Sequence, residues 1–237
     1  MLTILLLVFF QVGSITYTLR RAYLAMKADM GQQKKMLQLV AAGFAFWLLI
    51  TGVLAIGGYY SNFRYLPPRA FLFGLFPPLV ITIVLCCSKS FINILRRIPP
   101  IWLIKVQSFR IVMELMLFLA FLGDLFPFQM TFVGFNMDII AGITALFAGR
   151  VFFRKGRIFK SEVVIWNVFG ILLLVNIVFV TVISTPSIFR VFMNEPSSAL
   201  IASFPFIWIP TFIVPYALAM HFFSIRQVFI KDLKPFD

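Results

Sequence analysis

Gln107, Arg110 and Glu114 sit inside an apolar run at about 102–122. Their spacing of i, i+3 and i+7 puts all three on one stripe of a helix. Counting about 1.5 Å per residue from Trp102, Arg110 lies about 12 Å and Glu114 about 18 Å along that helix. Charges at such depth in a bilayer each cost about 3 kcal/mol on insertion scales, so both must face other helices and pair. They can pair with each other, although Arg before Glu is the weaker order for an i,i+4 pair. Asp138 is the natural third partner. A helix entered near Met130 carries it about 12 Å inward, on a face shared with Ala141, Gly142, Ala145 and Gly149. Small residues in such a ladder admit a neighbouring helix closely. Two carboxylates against one guanidinium leave a surplus negative charge, so one acid is expected to carry a proton. Proton-coupled transport uses a group of that kind, and a paired structural network is the alternative.

Other polar residues at membrane depth are fewer. Asn167 and Asn176 are nine residues apart on one apolar run, which is half a turn out of phase, so at most one joins the Arg110 cluster. Asn176 has the better depth, and Asn167 lies towards the inner end. His221 is the single histidine. It is expected at the cytoplasmic mouth of the last helix, as a hydrogen-bonded interfacial group or a proton relay. One histidine without Cys, Asp or Glu at ligand spacing makes no metal site, and no cofactor is expected. Pro77 and Pro78 fall inside the third apolar run, and Pro205, Pro210 and Pro215 recur every five residues through the outer half of the last. Each interior proline deletes a backbone hydrogen bond, giving kinks or gating points.

The elements that must hold these groups follow from hydropathy and charge. The chain has 237 residues, 62% hydrophobic and 12% charged, against about 25% charged in soluble domains. Runs long enough to cross a bilayer occur at about 2–18, 39–58, 70–87, 102–122, 130–149, 163–183 and 204–224. The expected fold is all-α: one transmembrane domain over 1–237, a seven-helix bundle. Loop charge alternates. Arg20, Arg21, Lys27, Lys34, Lys35, Lys89, Arg96, Arg97, Arg150, Arg154, Lys155, Arg157, Lys160, Arg226, Lys231 and Lys234 fall on one side, and Arg64, Arg69 and Arg190 on the other. The basic side faces the cytoplasm, which predicts an external N-terminus and a cytoplasmic C-terminus, in a bacterial cytoplasmic membrane. The first run lacks a positive n-region and is expected to stay uncleaved. The net charge of +13 is then an orientation signal that meets the bilayer and its anionic headgroups, with no nucleic acid implied. Adjacent Cys86 and Cys87 cannot easily reach disulfide geometry and are expected to face a reducing compartment.

Trp47 and Gly52 before a Phe/Pro-rich run are echoed by Trp166 and Gly170 before another. That pairs the second run with the sixth and the third with the seventh, a possible 3+1+3 parallel repeat of the kind found in SWEET-type transporters. No proline–glutamine signature of that family occurs. The topology resembles retinal proteins and G-protein-coupled receptors. There is no lysine in 204–224 for a Schiff base, however, and no receptor motif, and topology alone does not carry function. No Ser–His–Asp spacing, zinc motif or phosphate loop supports an enzyme. The expected function is binding or transport of a small or amphiphilic solute at Gln107, Arg110, Glu114, Asp138, Asn176 and His221. A receptor-like bundle signalling to a cytoplasmic partner and a structural or complex-assembly role are the alternatives.

Overall fold

A computed structural model describes residues 1–27, 29–65, 68–154 and 157–230. Lys155, Lys231 and Lys234, counted above on the basic side, lie outside the described residues. The chain is mostly helical: α1 (Leu2–Ala25), α2 (Met30–Ile56), α3 (Phe76–Cys87), α4 (Lys89–Leu95), α5 (Pro100–Lys105), α6 (Phe109–Leu122), α7 (Ile139–Phe152), α8 (Lys160–Ser184) and α9 (Val214–Val228). Two two-residue strands, Phe153–Arg154 and Arg157–Ile158, pair antiparallel between α7 and α8. The helix α9 lies at the centre, packed by α8, α3 and α5. The helices α1 and α2 form an outer pair that exposes large apolar side chains such as Leu6, Phe9, Phe46 and Leu49.

Among the described residues four helical segments are long and apolar enough to cross a membrane: α1, α2, α8 and Ile209–Val228. A fifth candidate is the pair Phe71–Cys87 and Lys89–Leu95, bent by 84°. The seven apolar runs therefore do not become seven uninterrupted helices. The fourth run is split by a 3-10 turn at Val106–Ser108. The fifth begins as a helix only at Ile139, because the chain from Phe128 to Asp138 is wound into turns. Two local causes are visible. Gly134 is pressed on Phe128, whose carbonyl would lie 2.4 Å from an added Cβ. Asn136 Oδ1 accepts the Asp138 backbone N–H at 3.1 Å, a side-chain bond that competes with helix. Conversely, α1 and α2 outrun their apolar stretches into Arg20, Arg21, Lys34 and Lys35, since straight-chain cations are good helix formers. Asp29 caps α2 by accepting the Gly31 N–H at 2.8 Å.

The prolines are absorbed by π-helical turns rather than by simple kinks. One π turn spans Phe71–Leu75, directly before Pro77 and Pro78 in the first turn of α3. Another spans Ile209–Ile213, holding Pro210 and leading to Pro215 in the first turn of α9. Each of these prolines lies within a continuous helical segment and removes a backbone donor, and the wider π turn at or ahead of it accommodates the lost bond. Pro205 lies in turns ahead of this helix, not within it. The two π turns meet at Gly74, where an added Cβ would fall 2.5 Å from Thr211 Cγ2. The carbonyl of Thr211, four residues before Pro215, accepts instead from the Trp47 indole at 2.8 Å. In return the Trp208 indole donates to the Leu48 carbonyl at 3.1 Å.

One end of the bundle gathers the basic helix termini. Arg226 Nε donates to the Cys86 carbonyl at 3.1 Å, and Gln227 Nε2 to the Leu95 and Ile98 carbonyls at 2.7 and 2.6 Å. Val228 packs with Phe152 and Val163, and Tyr17 stacks on Trp102. At the opposite end Gln129 and Asn194 exchange amide hydrogen bonds at 3.3 and 3.0 Å.

Candidate functional site

Arg110, in the first turn of α6 and 1% exposed, is the hub of a buried polar cluster. Its guanidinium grips Asp138 with two parallel bonds, Nε to Oδ2 at 2.6 Å and Nη2 to Oδ1. This planar fork is the strongest pairing available to an arginine. Asp138 stands at the N-terminus of α7, where the helix dipole favours its negative charge. Nη2 also donates to the Gly170 carbonyl on α8 at 3.2 Å. Nη1 lies 3.0 Å from His221 Nε2 on α9. Four elements thus meet on one side chain.

The hydrogen-bond chemistry fixes the histidine tautomer. Asn167 Nδ2 donates to the Val163 carbonyl at 2.7 Å, an acceptor only, and to Ser224 Oγ at 3.0 Å. Asn167 Oδ1 therefore faces His221 Nδ1, 2.8 Å away. An amide oxygen only accepts, so Nδ1 carries the proton and Nε2 is left to accept from Arg110. His221 is a neutral imidazole held at both nitrogens.

The position of His221 corrects the sequence expectation. It is fully buried against Gly170, where an added Cβ would fall 2.3 Å from its Cε1. Helix α9 continues to Val228, a turn and more beyond it, which moves it from the cytoplasmic mouth into the bundle. Asn167, not Asn176, is the asparagine that joins Arg110. Asn176 sits on the opposite face of α8 and donates to the Phe135 carbonyl at 2.7 Å.

Glu114 and Arg110 do not pair, although both are 1% exposed. Both Glu114 carboxylate oxygens lie 2.7 Å from Asn136 Nδ2, which also reaches the Met130 carbonyl at 3.1 Å. Asn136 thereby links the two acids, holding Glu114 through its amide nitrogen and the Asp138 backbone through its oxygen. Among the described residues the ion pairs are Arg110–Asp138 and Arg190–Glu195, so no cation pairs with Glu114. Gln107 donates to the Ala217 carbonyl at 2.9 Å, and its Oε1 is buried without a partner among the described residues. The small-residue face of α7 lies against this unit. An added Cβ at Gly142 would fall 2.9 Å from the Ile111 nitrogen, and one at Gly149 2.1 Å from Ile101 Cδ1.

Asn136, Gly170 and Ser224 are cluster residues that sequence reasoning missed, and it ranks Asn167 behind Asn176. The spacing Asn136-x-Asp138 is a turn signal, and Asn167/Gly170 and His221/Ser224 are i,i+3 pairs on single stripes. What the cluster can do is bounded by its chemistry. Arg110 only donates, so no continuous proton wire runs from Glu114 to Ser224. Among the described residues no group of three His, Cys, Asp or Glu side chains is placed to hold a metal.

Apolar helices of spanning length around a buried charged cluster define an all-α integral membrane protein. The chain belongs to the family described as Domain of unknown function (DUF8737), whose model matches residues 70–229. No curated protein and no solved structure matches the chain. The matched region holds the whole Arg110 cluster and both π turns, while α1, α2 and Trp47 precede it.

Proposed function

We propose that the protein binds a small or amphiphilic solute between its helices and moves it across the membrane, coupled to a proton carried by Glu114. Glu114 supports this reading. It is 1% exposed, and its partner in the structure is the neutral amide of Asn136. A structural latch needs the Arg110–Asp138 pair but not a second acid, which adds desolvation and repulsion from Asp138. Ionisable residues kept within a membrane bundle commonly serve ion or proton pathways. Asn136 couples the parts. A change of charge on Glu114 alters what its amide nitrogen holds, and its oxygen positions Asp138 opposite Arg110. The π turns before α3 and α9, where prolines interrupt the regular helical bonding, are the moving parts in this reading. Seven passes with the N-terminus outside complete this reading, in which α5–α6 and α7 act as broken or shortened crossings around the cluster.

The test is proton-driven uptake in proteoliposomes. Glu114→Gln is expected to abolish coupling while leaving the fold intact, because the amide keeps the shape and a hydrogen bond to Asn136. Unchanged flux in that variant would reject the reading. A second reading, membrane-complex assembly, rests on how fully protein acceptors occupy the Arg110 fork. It expects co-purification with a larger membrane complex and indifference to Glu114→Gln.

A further inference from the structure

The helix α4 turns 84° away from α3 at Ser88, so a crossing α3 lays α4 along the membrane surface. Its ends are fixed. Ser88 Oγ accepts the Phe91 N–H at 3.4 Å, and Gln227 from α9 holds the Leu95 and Ile98 carbonyls. Phe91 packs on Phe223 with ring centroids 4.6 Å apart, and Leu95 is fully buried. The opposite face carries Lys89, Ser90, Asn93, Arg96 and Arg97, all exposed. Lys89 and Arg96 are seven residues apart, nearly in phase, and about 10 Å apart along the axis. Asn93 lies between them on the same stripe. None of these cations has an ion pair among the described residues. The chain from Met30 to Met113 contains no Asp or Glu. The charged group that α9 brings to this corner is Arg226, another cation.

We propose that α4 is a rigid interfacial ledge that docks anionic phospholipid headgroups, with Lys89 and Arg96 taking the phosphates and Asn93 donating between them. A flexible basic loop attracts an anionic surface only diffusely. A helix locked by α9 presents its cations at fixed spacing, so little is lost in ordering them on binding. The inference requires only that the basic end lies at the membrane surface, and it is independent of the solute reading.

Native mass spectrometry of the full chain in mixed phosphatidylglycerol/phosphatidylcholine nanodiscs reads the outcome. Wild-type protein is expected to retain phosphatidylglycerol preferentially. Lys89→Gln/Arg96→Gln is expected to cut that retention several-fold, whereas Arg64→Gln at the opposite end leaves it unchanged. Thermal unfolding gives a second reading: phosphatidylglycerol raises the midpoint, and inorganic phosphate does not. If the double variant fails to fold, Lys89→Gln alone carries the test, since Lys89 is exposed. Wild-type-like retention in the variant overturns the proposal. So does equal loss in Arg64→Gln, or equal stabilisation by inorganic phosphate.

Discussion

At the scale of the residue, Arg110 decides the centre of this protein. Its guanidinium makes four hydrogen bonds to groups on three other elements. Removing one partner of such a pair leaves a buried charge uncompensated, which costs about 3–5 kcal/mol. Asp138→Asn is therefore expected to lower unfolding stability by about that amount. The double variant Arg110→Met/Asp138→Asn is expected to lose less than the sum of the two single losses. A double-mutant cycle in detergent measures the coupling, and strict additivity would refute a direct pair. The stripe of Gln107, Arg110 and Glu114 and the choice of Asp138 as partner to Arg110 could be read from spacing and small-residue patterning. The split between Arg110 and Glu114 could not, because it depends on Asn136 reaching Glu114 from a turn that periodicity does not register.

Elements carry a different kind of constraint. Pro215 cannot donate to the Thr211 carbonyl, and Trp47 from α2 satisfies it instead. Trp47→Phe should cost about 1–3 kcal/mol by leaving that carbonyl unsatisfied. In a Pro215→Ala background the restored N–H can take over, so the same substitution should cost clearly less. Equal costs in both backgrounds, measured by chemical unfolding, would separate Trp47 from the proline. The loop between α8 and α9 shows the weaker effect of an exposed pair. Arg190 bonds the Glu195 carboxyl at 2.7 Å and, with the Ser197 N–H, holds its pKa below the ordinary carboxyl value. The sign follows from the lowered pKa: the contribution is present above the unfolded-state value and is lost as pH falls through the folded one. Exposed pairs are worth little. Proteolysis of this loop should therefore rise only modestly in acid, and Arg190→Gln should reduce that pH dependence, the Ser197 N–H contribution remaining.

For the whole molecule, the basic ends of α7, α8 and α9 and the cations of α4 gather at one end, tied by contacts such as Arg226 to Cys86. The positive-inside rule predicts that this end is cytoplasmic. Single cysteines introduced at Asn62 and at Ser90, in a chain lacking Cys86 and Cys87, should label from opposite sides of intact cells. The Asn62 position should react with an impermeant reagent and the Ser90 position only after permeabilisation. Labelling of both from one side would reject the topology. The sequence by itself determined the solvent of the fold and the uneven charge of its two ends, because hydropathy and loop charge are local properties that add along the chain. It also singled out Arg110, a cation that topology cannot place. Only the tertiary structure decided that His221 and Asn167 belong with it, that α7 starts at Ile139, and that π turns replace helix around the prolines. Those outcomes depend on which side chain from a distant segment satisfies each buried polar group, and a hydrogen bond between residues more than a hundred positions apart leaves no periodic trace in the chain.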